Sequence, residues 1–147
     1  MRGPDHKQSS LFSYTNIEDR IAVDHPLRRV KVMADMVLHS MSPTFDSLYA
    51  EGGRPSIAPE RLLRALLLQC LFSIRSERAL IEHLDFNMMF RWFVGLSQDE
   101  PVWDHSSFSA NRDRLFKESV MREFFGGVVA IAEWAALISD EHFSVDG

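Results

Sequence analysis

Apolar positions recur at helical spacing along almost the whole chain. Leu27, Val30, Ala34, Val37, Leu38 and Met41 lie three and four residues apart and predict a helix. Asp24 before His25-Pro26 offers an N-cap with proline in the first turn, and Pro43 closes that helix. Gly52-Gly53-Arg54-Pro55 reads as a turn. Pro59 then suits the first turn of a second helix. There Leu62, Leu63, Leu66, Leu67, Cys70, Leu71 and Ile74 make a broad apolar stripe. Ala65 and Leu68 widen it, which makes this the central helix of the domain, with Arg61, Arg64 and Gln69 off the stripe.

Two cap-forming serines in Ser73-Ile74-Arg75-Ser76 interrupt the pattern. A short helix follows, with Ala79, Leu80, Ile81 and Leu84 inside. Asn87 caps another, Met88 to Val94, which Gly95 ends. Past a loop carrying Pro101, Ser106 or Ser107 caps a helix whose inward positions are Phe108, Leu115 and Phe116. The last helix spans roughly residues 119 to 137, with Phe124, Phe125, Val128, Val129, Ala132 and Ala135 inside. Gly126-Gly127 in its middle costs about 1 kcal/mol per glycine, which suggests a close helix contact or a bend. His142 to Asp146 alternates polar and apolar, a strand period, although a lone strand has nothing to pair with. The expected fold is therefore mainly α: an arm over 1–23, a multi-helix domain with helix-turn-helix-like segments over 24–138, and a change of character over 139–147.

A chain of 147 residues, 46% hydrophobic and 25% charged, has globular composition. Its single cysteine, Cys70, allows no internal disulfide and no cysteine-based zinc site, and on the apolar stripe it reads as a small core residue. A reducing, cytoplasmic setting is the expectation. The longest apolar run, Phe124 to Ala132, is too short for a membrane span, and the polar opening does not resemble a signal peptide.

Net charge is −5, which excludes a uniformly basic nucleic-acid coat but not a local basic face. Residues 54–78 set five arginines against two glutamates. Residues 132–147 carry four acids and no base. Charge alone favours solvated helix faces with i,i+4 pairs over a phosphate-binding face.

No two of the six histidines lie three or four apart, so no helical metal pair exists. Phosphate-cradling glycine loops and the nucleophile elbow are also absent. Two stretches suit DNA. In Ser73 to Arg78, hydroxyls, N–H groups at a helix start and the arginines Arg75 and Arg78 can hold a phosphate. Further on, Ser107, Asn111 and Arg114 fall at i, i+4 and i+7 on one side of a helix, with Arg112 beside them. Asn and Arg are the side chains that read adenine and guanine edges bidentately. The alternative is that Arg112 and Arg114 pair with Asp113, Glu118 or the acidic end of the chain. Phe90-Arg91-Trp92-Phe93-Val94 could stack on bases, but a core segment with a tethered Arg91 is the commoner arrangement.

An ordered set of motifs then emerges. It runs Asp24-His25-Pro26-Leu27-Arg28, Gly53-Arg54-Pro55-Ser56-Ile57, Leu62 to Gln69, Ser73 to Arg78, Phe90 to Leu96, His105 to Leu115 and Asp140 to Gly147. In this order it resembles the N-terminal region of bacterial insertion-sequence transposases of the IS-five group. The resemblance implies a helical region preceding a ribonuclease-H-like domain that binds divalent metal, Mg²⁺ for the complete enzyme, through a DDE triad. It maps the family's first triad aspartate, in a strand reading Val-Asp-Gly, onto Asp146. One carboxylate cannot hold a pair of catalytic metals, so no metal or cofactor is expected in this stretch and catalysis is not expected of it alone.

The resulting expectation is a DNA-binding N-terminal portion of a transposase that engages element terminal repeats. Its rivals are a helical dimerisation module, a truncated product that inhibits a full-length transposase through mixed dimers, and a decayed reading frame.

Overall fold

The computed structural model describes residues 1–7, 10–12, 14–49, 57–117 and 119–146, with backbone alone for 137–146. Among these residues it is all helix and loop. The order is α1 (Ile17–Arg20), α2 (Pro26–Ser40), α3 (Ser42–Leu48), α4 (Pro59–Leu71), α5 (Glu77–Phe86), α6 (Met88–Val94), α7 (His105–Lys117) and α8 (Val120–Asp146). The expected turn at Gly52 to Pro55 lies outside the described residues.

α4 is the centre, as its broad stripe predicts. Leu62, Leu63, Ala65, Leu66, Leu67 and Leu68 are all buried. α6, α7 and α8 pack on it. Burying each leucine contributes about 1.5–3 kcal/mol. Cys70 departs from expectation: it is exposed. The stripe is widest at the start of α4, and its last turn runs out past the helices that cover it, leaving Leu71 and Phe72 about half exposed as well.

Local capping sets the boundaries. His25, not Asp24, caps α2, its Nδ1 accepting from the Leu27 N–H at 3.1 Å. Pro43 does not close α2, which ends at Ser40, but sits in the first turn of α3, because a proline lacks only an N–H that a helix start does not use. The Ser76 hydroxyl caps α5 at Ala79, and the Asn87 carbonyl oxygen caps α6 at Phe90, each at 3.1 Å. Gly95 closes α6 with φ of 98°, a left-handed conformation that glycine adopts without a Cβ penalty.

Arg91 is buried inside the core segment, 5% exposed. Its guanidinium donates to the carbonyls of Leu84 and Ser97 at 2.8 Å, and to that of Glu100. It thus ties the end of α5 to the loop after α6.

α8 packs along α2. The glycine pair is explained by one member: a Cβ on Gly127 would lie 2.9 Å from Val37 of α2, whereas one on Gly126 would meet nothing. The helix is longer than expected, 27 residues, or about 40 Å. The strand expected over His142–Asp146 is not formed; the backbone continues as helix to Asp146. A helix satisfies its own N–H and C=O groups, while a single terminal strand leaves them without a ladder. The side chain of Asp146 lies outside the described residues.

Candidate nucleic-acid interface

The two stretches singled out in the sequence meet. α5 packs on α7, and the joint is Glu77, the first residue of α5. Its carboxylate accepts a hydrogen bond from the Ser109 hydroxyl at 2.6 Å. It also pairs with the Arg112 guanidinium and stands 3.4 Å from His105 Nε2. The Glu77 side chain is 10% exposed, so the pair is far less screened than a surface one. In the sequence Glu77 stands out only as an acid between Arg75 and Arg78. A signal existed: His105, Ser109 and Arg112, at i, i+4 and i+7, make a polar stripe beside the apolar face of α7.

The joint engages part of the polar face of α7. Arg112 is committed to Glu77 and, at 2.9 Å, to Asp113. The internal pairing weighed from the sequence therefore holds for Arg112, with Glu77 as the additional partner. Ser107 is not a free hydroxyl, nor is it the cap of α7. Its hydroxyl donates to Asp104 at 2.7 Å, and its N–H donates to the same carboxylate at 3.1 Å. Asp104 is the cap, because a carboxylate one residue before the helix can accept both donors. These bonds hold the Asp104 carboxyl below its ordinary range. Asn111 donates to the Ser107 carbonyl at 2.7 Å, one turn back on its own helix. Arg114 is exposed and lies over the Tyr49 ring, 5.3 Å from its centroid. Burial raises the Tyr49 phenol above its usual range, against the opposing pull of Arg114. Phe116, placed in the core by its spacing, is 71% exposed, because α7 turns its buried side to Phe108 and Leu115 alone.

Arg75 and Arg78 are different. Both are exposed, and among the described residues neither has an ion pair or hydrogen-bond partner. They flank the capped start of α5, where Ser73 turns the chain through a φ of 52°. Backbone N–H groups at a helix start and two free guanidinium groups form a surface suited to phosphate oxygens.

A second cationic cluster serves structure instead. Arg28 and Lys31 stand over the Trp92 ring at 5.4 and 5.7 Å. The Glu18 carboxylate receives Arg28 and the indole N–H, which draw it below its ordinary range and clamp α1 onto α2 and α6. Arg64 is likewise held, 2.9 Å from Asp35, and Arg61 pairs with Glu100.

No cluster of three or more histidine, cysteine or acidic side chains among the described residues could hold a metal ion. No described helix is long and apolar enough to cross a membrane.

Comparison with known proteins gives one result. Neither the curated proteins nor the solved structures contain a match. Residues 15–114 match a transposase domain family (DUF772), a span that takes in α1 to α6, the joint at Glu77 and most of α7. Two thirds of the chain fits that pattern, so the protein belongs to this family of transposase domains.

Proposed function

We propose that this chain is the DNA-engaging, N-terminal portion of a transposase, of the IS-five group, acting on the terminal repeats of a bacterial insertion element in the cytoplasm. The observation that carries the reading is the exposed pair Arg75 and Arg78 at the serine-capped start of α5, without a partner among the described residues. Family membership supports the transposition context. Phosphate contacts from this surface position the protein on the duplex. Arg114, exposed on α7, is the contact closest to base reading in this proposal. Ser107, Asn111 and Arg112 support that surface through their bonds to Asp104, the α7 backbone and Glu77 rather than by touching bases. Asp146 stands in this reading as the first carboxylate of the parent enzyme's triad. A single carboxylate carries no two-metal chemistry, so strand cutting is not assigned to these residues.

The test is a salt titration on duplex DNA carrying the terminal repeats, with random duplex as control. Binding whose logarithm falls steeply with salt, and which favours the repeats, is the expected result. Absence of binding at low salt would sink the reading.

One observation favours a second role. Over residues 132–136 α8 is open: Ala132, Trp134, Ala135 and Ala136 are exposed, Trp134 at 65%. Exposed apolar helix of this kind suits pairing with another copy or with a full-length transposase. Sedimentation over a range of concentrations tests it: a mass that rises with concentration supports pairing, and a constant monomer mass refutes it.

A further inference from the structure

Arg28 and Trp92 come from different helices, α2 and α6, and converge on one carboxylate. One Glu18 oxygen accepts from the Arg28 guanidinium, and the other accepts from the Trp92 indole N–H. Lys31 stands beside them, over the same indole ring that Arg28 covers. The two donors are held in place. The Trp92 ring packs against the core, and the Arg28 guanidinium donates to the backbone carbonyls of Glu18, Ile21 and Ala22 at 2.6, 2.7 and 2.9 Å. The carboxylate between them has no such support. Glu18 lies on α1, a single turn of four residues with none buried, and its side chain is exposed. A helix that short has little stability of its own. The carboxylate can leave by side-chain rotation while the guanidinium and the indole stay where they are. Once it leaves, the cluster holds Arg28, Lys31 and Arg64 against one acid, Asp35.

A guanidinium and an N–H donor set to grip two oxygens of one carboxylate offer the same grip to two oxygens of a phosphodiester. We propose that the Arg28–Trp92 pair is a site for a backbone phosphate of DNA, and that Glu18 is its built-in competitor, seated there in the free protein. A duplex must displace the Glu18 carboxylate to use the site, so the exchange lowers its apparent affinity. The inference rests on the DNA-binding reading above and adds to it a contact on α2 and α6, away from the start of α5.

The test compares two variants of the full chain on the same duplex, by fluorescence anisotropy at fixed salt. Glu18→Gln removes the competing charge and leaves both donors. Asp19→Asn removes an equal charge at the next residue of α1, outside the clamp. Glu18→Gln is expected to tighten binding about threefold more than Asp19→Asn does, the worth of one surface ion pair. Equal gains in the two variants would reduce the effect to charge at a distance and overturn the site, with duplex binding intact. Failure of the parent and both variants to bind duplex would overturn the underlying DNA reading as well. The second readout is the indole N–H resonance of Trp92, identified by its loss in Trp92→Phe. Duplex is expected to shift it in the parent. A resonance that stays in place while duplex binds would refute the site. A shift produced by inorganic phosphate at matched ionic strength, but not by duplex, would refute the assignment to DNA in favour of a free anion.

Discussion

The start of α5 and the length of α7 carry the same kinds of side chain, serine and arginine at helical spacing, yet tertiary structure uses them differently. On α7, Ser107 bonds Asp104, Asn111 bonds its own helix backbone, and Arg112 is held by Glu77. At α5, Arg75 and Arg78 meet solvent. Whether an arginine is left open to solvent or becomes a structural strut depends on the carboxylate it can reach. That carboxylate, Glu77, is contributed by the very helix whose neighbouring arginines remain free. The two regions are thus one device, with α7 bracing a helix start that faces outward.

The largest expected effect comes from the exposed side. Arg75→Ala with Arg78→Ala removes the two phosphate contacts proposed for this surface. DNA affinity is expected to fall on the order of fiftyfold at 0.1 M salt, and the salt slope to shrink by about 1.8, measured by fluorescence anisotropy. An unchanged slope would show that the phosphates are held elsewhere.

The brace comes next. Glu77→Ala strips Arg112 and Ser109 of a partly buried partner and is expected to lower stability by about 2 kcal/mol in urea denaturation. Wild-type stability in this variant would mean the joint is a surface pair of little worth.

Arg112→Ala separates the two roles more finely. It should reduce stability by about 1 kcal/mol while changing DNA affinity less than about twofold. Adding Arg114→Ala should then weaken binding and lower the slope by about 0.9, one phosphate contact. A slope already reduced by Arg112→Ala alone would place Arg112 on the DNA after all.

The smallest effect is in acid. The folded Asp104 carboxyl is held below its ordinary value by Ser107. Its contribution to α7 is therefore complete above the unfolded pKa, about 3.9, and is lost as pH falls through the lower folded value. Asp104→Asn keeps a competent cap without the titration. It should flatten helicity against pH below about pH 4, read by circular dichroism, and leave neutral-pH behaviour alone.

The helices were legible in the sequence wherever a wide apolar stripe met a capping residue. α4 and α6 follow their patterns, and the Asn87 and Gly95 boundaries of α6 are local chemistry that needs no partner. Boundaries shift where two polar groups compete for one cap: by one residue at α2, from Asp24 to His25, and by two or three at α7, from Ser106 or Ser107 to Asp104. The exposed positions of Cys70 and Phe116 were not legible, because periodicity marks the side a residue occupies but not how far the covering helices extend.

The sequence by itself determined the helical class, the central place of α4, the arginine pair at the start of α5 and the ordered motifs of the family. These rest on spacing and capping, which act over a few residues. Only the tertiary structure decided that Glu77 joins α5 to α7, that Arg112 is consumed and Arg75 is not, and that Gly127 exists to admit Val37. Those outcomes depend on groups far apart in the chain arriving within a few ångströms, a distance that no local pattern encodes.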